Sequence, residues 1–158
     1  MRKVIETQPS IFCPTIDTIQ FDLNSRDEIP KILMGIQAIF KDKNTCKEVF
    51  KLLANILPDK KDEPTKKANP QRGRPGMDQC TILILGMLRL NCKINFDKLH
   101  ELANQHKILR MMLGHDVLDD KRYSLQTIKD NVKLLTPELL DEINTIVVDF
   151  GQKKRVCP

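Results

Sequence analysis

From residue 25 onward, apolar positions recur at helical spacing and are punctuated by polar capping residues. Ser25-Arg26-Asp27-Glu28 has capping-box spacing and precedes Ile29, Ile32, Leu33, Ile36, Ile39 and Phe40, which share one helical face. Pro30 is compatible with that helix only near its start. Thr45-Cys46-Lys47-Glu48 repeats the signal ahead of Val49, Phe50, Leu53, Ile56 and Leu57, and Pro58 closes the second helix. Upstream, residues 1–24 show no sustained period and read as an irregular arm carrying Ile16, Ile19, Phe21 and Leu23. Between Asp59 and Gly76 no aliphatic residue is larger than Ala68, and Lys, Asp, Glu and Pro dominate, which predicts a linker.

Five further helices are predicted after the linker. Asp78 to about Leu90 is apolar nearly all round, as a central helix would be. Asn95 caps a helix with Phe96, Leu99, Leu102, Ala103 and His106 inward, and Lys107 to Leu113 continues it until Gly114. A polar loop, His115 to Tyr123, leads to Ser124, an N-cap for Leu125, Ile128, Val132 and Leu135. Thr136-Pro137 opens the last helix, with Leu139, Leu140, Ile143, Ile146, Val147 and Phe150 on one face and Gly151 as its stop. The expected architecture is all-α. A hairpin with its arm (1–57) is followed by a basic linker (58–77), a helix-turn-helix-like bundle of about five helices (78–151) and a disordered basic tail (152–158).

Composition fits this picture. Aromatic residues are 4% and Trp is absent, so the core must be aliphatic, and 6 Gly are too few for a turn-rich β chain. The net charge of +5 is unevenly spread: 6 basic against 3 acidic residues in 58–77, 3 against none in 151–158, but 9 against 11 in 78–150. The basic excess therefore lies in the linker and tail, and net charge alone does not mark the bundle as a nucleic-acid binder. Five scattered cysteines (13, 46, 80, 92, 157) contain no Cys-x-x-Cys pair and read as inert thiols in a reducing cytoplasm. The apolar run Ile82 to Leu90 is too short to span a bilayer and contains Arg89.

Catalytic and metal readings find no footing. His100, His106 and His115 stand at no ligand spacing with any cysteine, and Asp119-Asp120 reads as a solvated turn. No catalytic residue, metal or cofactor is expected. Two features point to DNA instead. Arg72-Gly73-Arg74-Pro75 has the form of a minor-groove arm, though it reads equally as a polar linker punctuating a helix start. The Ser124 helix presents Gln126, Thr127, Lys129, Asp130 and Lys133 outward, with Lys121 and Arg122 just ahead of it. Such residues suit base-edge and phosphate contacts, and a recognition helix reads from its first turns. The same residues also fit an ordinary solvated face.

The stretch from Arg72 to Phe150 resembles the N-terminal region of DDE insertion-sequence transposases of the ISNCY-like group. The resemblance is carried by Arg72-Gly73-Arg74-Pro75-Gly76-Met77, Met87-Leu88-Arg89-Leu90, Phe96 to Asn104 and Arg110-Met111-Met112-Leu113-Gly114. Tyr123 to Val132 and Leu139 to Val148 complete it. It implies binding to the terminal inverted repeats of a transposable element. The metal-binding carboxylates of that family belong to a downstream domain, which is expected to be missing here because Gln152 to Pro158 reads as an interrupted ending. The expected partner is double-stranded DNA, with a homodimer compatible and no membrane. The alternatives are a helical dimerisation module, built on Lys31–Leu57 and Pro137–Phe150, and a small helix-turn-helix regulator.

Overall fold

The computed structural model describes residues 16–56 and 77–156. The N-terminal arm before Ile16, most of the linker, and with it Arg72 and Arg74, lie outside the described residues. Within them the chain is all-α: seven α-helices and one short 3-10 turn, Ile16–Thr18, with no strand.

The first two helices are set by aspartates rather than by the predicted capping boxes. Helix α1 spans Ile29–Lys41. A box at Ser25 would place Pro30 deep in the helix, where its missing N–H and its ring are excluded. Ser25 Oγ instead accepts the Asp27 N–H at 3.1 Å, Asp27 Oδ1 accepts the Ile29 N–H at 3.1 Å, and Pro30 falls in the first turn. Helix α2, Lys43–Ile56, begins two residues before Thr45. Asp42 Oδ2 takes both the Thr45 N–H (2.9 Å) and its hydroxyl (2.6 Å), so Thr45 is buried inside the first turn. Asp42 also ends α1 through its own N–H, making the hairpin turn a single residue.

Helix α3, Gln79–Cys92, is the axis of the fold. Asp78 caps it in the manner of Asp42, accepting the Thr81 N–H (2.8 Å) and hydroxyl (2.7 Å). Ile82, Leu83, Ile84, Leu85, Gly86 and Leu88 are all buried, as a helix covered on every side requires. Lys93 turns the chain in a left-handed conformation (φ 51°), and Asn95 Oδ1 accepts the Lys98 N–H at 2.8 Å to start α4, Phe96–Gln105. His106 closes α4 and opens α5, Lys107–Met112, its Nδ1 accepting the Leu109 N–H at 3.2 Å. Gly114, at φ 80°, turns the chain away from α5.

Helix α6, Leu125–Val132, is capped by Ser124, and α7 runs Pro137–Val156. The sequence predicts an end at Gly151 and a disordered tail. The helix instead passes through Gly151 as far as Val156. Glycine lowers helix propensity by only about 1 kcal/mol and stops a helix when it adopts the left-handed conformation, which Gly114 does and Gly151 does not.

Helices α1, α4 and α6 pack on α3, and α2 packs on both α1 and α7. Leu33, Ile36 and Ile39 of α1 and Val49 and Leu53 of α2 join Ile82, Leu88, Leu99, Ile128 and Ile143 in one continuous core. The inner positions of the hairpin helices are thereby buried within the chain, as are Leu139 and Ile143 of α7, while Leu140, Ile146, Val147 and Phe150 are half-buried. Gln37 fastens the 3-10 turn to α1, its Nε2 donating to the carbonyls of Ile16 (2.6 Å) and Ile19 (2.9 Å).

Candidate nucleic-acid interface

Helix α6 lies on the outside of the α3–α4 pair. Ile128 and Val132 are buried against it, and Leu135, just past the helix, fills the space above Gly86. That anchoring fixes which side faces solvent. Gln126 and Lys133 are exposed, while Lys129 and Thr127 are half-buried. Thr127 is more committed than its spacing predicts: its N–H donates to Ser124 Oγ (3.1 Å) and the two hydroxyls share a further bond at 2.7 Å. Gln126 Nε2 donates to Asp130 Oδ1 at 2.6 Å. The outer face of α6 is thus a cationic and amide surface with one carboxylate in its middle.

The segment ahead of α6 is the larger surprise. A solvated polar loop is expected from His115 to Tyr123, yet its residues are tied together. His115, 5% exposed, bonds through Nδ1 to Asp119 Oδ2 (2.7 Å) and through Nε2 to the Tyr123 hydroxyl (2.6 Å). The two rings meet edge to face at 5.3 Å. Arg110 of α5 reaches over the loop, its Nη1 donating to the Lys121 carbonyl (3.0 Å) and Nη2 to the Asp119 carbonyl (2.5 Å). From the other side, Asn104 and His100 of α4 bond the Tyr123 backbone, Asn104 through both its Nδ2 (2.9 Å) and Oδ1 (2.8 Å).

These contacts explain the local electrostatics. Asp119 is held below the usual carboxylate range, first by its hydrogen bond with His115 and then by the Lys121 N–H. Burial, with the nearby Asp78 charge, pushes the Tyr123 hydroxyl up to about 12, so it stays protonated. Asp119 and Asp120 therefore do not act as a pair: the first is spent within the loop and the second is exposed. The signal in the sequence was the spacing His115, Asp119, Tyr123 behind Arg110, which looks like nothing until the loop closes on itself.

Lys121 and Arg122 sit where this braced loop meets α6. Lys121 is exposed, and Arg122, also exposed, donates from Nη1 to the Asn104 carbonyl at the end of α4. A cavity of about 380 Å³ beside them is lined by Lys107, Arg110 and Arg122 but also by Asp116, Asp119 and Asp120. Of the sequence-predicted positions, Lys121, Arg122, Gln126, Thr127, Lys129 and Lys133 fall on one stretch of chain along the loop end and α6. Arg72 and Arg74 lie outside the described residues. At the loop's tip Val117 and Leu118 are exposed, the latter 80%.

Among the described residues no group of three or more His, Cys, Asp and Glu is placed to hold a metal ion, and no helix is long and apolar enough to cross a membrane. Cys80 is pushed up to about 12 by burial, with Asp78 adding to it, and burial also raises Cys46 and Cys92. Such thiols are poor nucleophiles. No family model, no curated protein and no solved structure matches this chain.

Proposed function

We propose that this chain is a sequence-directed DNA-binding module, the end-recognition part of an insertion-sequence transposase. In this reading it engages duplex DNA at the terminal inverted repeats and does not itself cut. Its support is the sequence resemblance together with one structural observation: a short, side-chain-capped helix, held by Ile128 and Val132, carries an outward amide and cations directly after a braced loop. Recognition helices work from their first turns, and rigidity there limits the ordering that binding would otherwise demand. Gln126 is the candidate base-edge reader. Lys121, Arg122 and Lys129 are the candidate phosphate contacts.

The dimerisation alternative is supported less directly: Leu33, Ile36, Val49, Leu53, Leu139 and Ile143 of α1, α2 and α7 are buried within the chain, while Ile146 and Phe150 line an open groove between α2 and α7.

Selection from a random duplex library tests the proposal, followed by binding titrations on the enriched sequence and on scrambled DNA. The expected result is an enriched motif whose affinity drops by about 1–3 kcal/mol in Gln126→Ala, with scrambled DNA little affected. Lys129→Ala should weaken both about equally. No enrichment, together with non-specific affinity alone, refutes sequence-directed binding.

A further inference from the structure

His106 joins two helix caps that belong to different parts of the chain. It closes α4 and opens α5, and its Nδ1 accepts the Leu109 N–H at 3.2 Å. Across the ring, Nε2 lies 3.5 Å from Asp27 Oδ2. Asp27 is itself the residue whose Oδ1 accepts the Ile29 N–H at the start of α1, which packs on α5. The His106 side chain is 19% exposed, so solvent replaces neither contact freely. Imidazole serves both neighbours in one form only. A lone pair at Nδ1 means that the neutral ring carries its hydrogen on Nε2, directed at the carboxylate. Imidazolium carries hydrogens on both nitrogens and has no acceptor left.

We propose that His106 is a proton-operated link between the α1–α2 hairpin and the main bundle. In its neutral state it caps α5 and touches the hairpin through one N–H. On protonation the new Nδ1–H confronts the Leu109 N–H, so the cap is lost, while the cationic ring forms a full ion pair with Asp27. One proton thus frees the start of α5 and strengthens its tie to α1. The consequence reaches beyond the cap. The Arg110 N–H bonds the His106 carbonyl at 2.9 Å, so Arg110 belongs to the turn that loosens. Its guanidinium holds the Asp119 and Lys121 carbonyls of the loop ahead of α6. A helix of 6 residues has little stability of its own, which makes a single cap matter.

The other ionisable groups of the packed elements do not imitate this behaviour. Glu28 stands beside Asp27, and burial first, then these two carboxylates, raise the Cys92 thiol at the end of α3, so it stays protonated. From α4 comes Glu101, paired with Lys98 at 2.9 Å, and α5 itself carries Lys107 and Arg110. Carboxylate, lysine and arginine side chains ordinarily hold their charge between about pH 5 and 8, the span in which imidazole titrates. His100 and His115 bond Tyr123 and Asp119 instead. The link does not depend on DNA binding.

An NMR titration of the full chain from about pH 8 to 5 tests the proposal. The ring resonances of His106 report its protonation. Amide protection factors, corrected for the intrinsic pH dependence of exchange, report the two caps. Protection of Leu109 should fall about three- to tenfold, the effect of one lost N-cap, with the same midpoint as the His106 ring. Ile29, whose N–H stays with Asp27, should keep its protection. His106→Asn supplies a capping oxygen at every pH, so the helical circular dichroism should remain and the Leu109 response should vanish. A Leu109 amide indifferent to the His106 titration, a response that persists in His106→Asn, or a parallel loss at Ile29 overturns the proposal.

Discussion

Replacing Tyr123 by Phe removes one oxygen from the loop ahead of α6 and leaves nearly everything else in place. The ring still packs on His115, and the Tyr123 backbone keeps its bonds to His100 and Asn104. What is lost is the 2.6 Å bond to His115 Nε2, at a histidine only 5% exposed. A buried polar atom stripped of its partner costs about 1–3 kcal/mol, more than the net worth of the bond itself. At roughly 2–4 °C per kcal/mol for a chain of this size, Tm should fall by about 2–12 °C. Urea unfolding supplies the free energy, and amide exchange at Lys121, whose N–H is held by Asp119 Oδ1, reports the loop directly. Adding His115→Leu to Tyr123→Phe should recover part of the loss, since the orphaned nitrogen is then gone. A Tyr123→Phe protein with unchanged stability and unchanged loop protection would show that the network does not brace the loop.

Two further outcomes follow from the same packing. Asp119 has a folded pKa depressed by His115 and the Lys121 N–H, so its stabilisation is complete above the unfolded value of about 3.9 and is lost as pH falls through the folded one; unfolding titrations of the wild type and Asp119→Asn should diverge at neutral pH and converge in acid. A Cβ at Gly86 would collide with Leu135 Cδ1, so Gly86→Ala should destabilise by about 1–3 kcal/mol despite its better helix propensity, with part of the loss relieved by Leu135→Ala in a thermal melt.

Much of this fold is written locally. Asn95 and Ser124 cap the helices they were expected to cap, because a side-chain oxygen three residues before an unpaired N–H decides the matter without help from elsewhere. The all-round apolar run of α3 announced a central helix for an equally simple reason. Sequence and structure part where two local signals compete. Ser25 and Thr45 satisfy the capping-box pattern, but Asp27 and Asp42 lie closer to the true starts, and Pro30 and the single-residue hairpin turn favour them. The loop before α6 was not legible at all. Its order comes from His115, Asp119, Tyr123, Arg110 and Asn104, which meet only after α4, α5 and α6 have packed. Nor could spacing reveal that Gln126 and Thr127 bond within the helix, since Asp130 and Ser124 compete for the atoms that a base edge would use.

That competition sets the sharpest test of what α6 does. Gln126 Nε2 is held by Asp130 at 2.6 Å on the exposed face, and the carboxylate sits among the residues proposed to meet a phosphate backbone. An exposed bond of this kind is worth about 1 kcal/mol net, so a base edge can displace it at small expense. The Asp130 charge acts over a longer range. Physiological salt screens a charge only over about 8 Å, so the carboxylate opposes every phosphate the helix brings within that range. Asp130→Asn should therefore tighten binding to all duplexes alike, severalfold at low salt and less at high salt. The asparagine also still offers an oxygen to Gln126, so the discrimination of α6 should survive. Binding titrations on selected and scrambled DNA over a salt series measure both quantities. If Asp130→Asn leaves affinity for scrambled DNA unchanged at low salt, the outer face of α6 does not approach the phosphates, and the recognition surface must be sought on another helix.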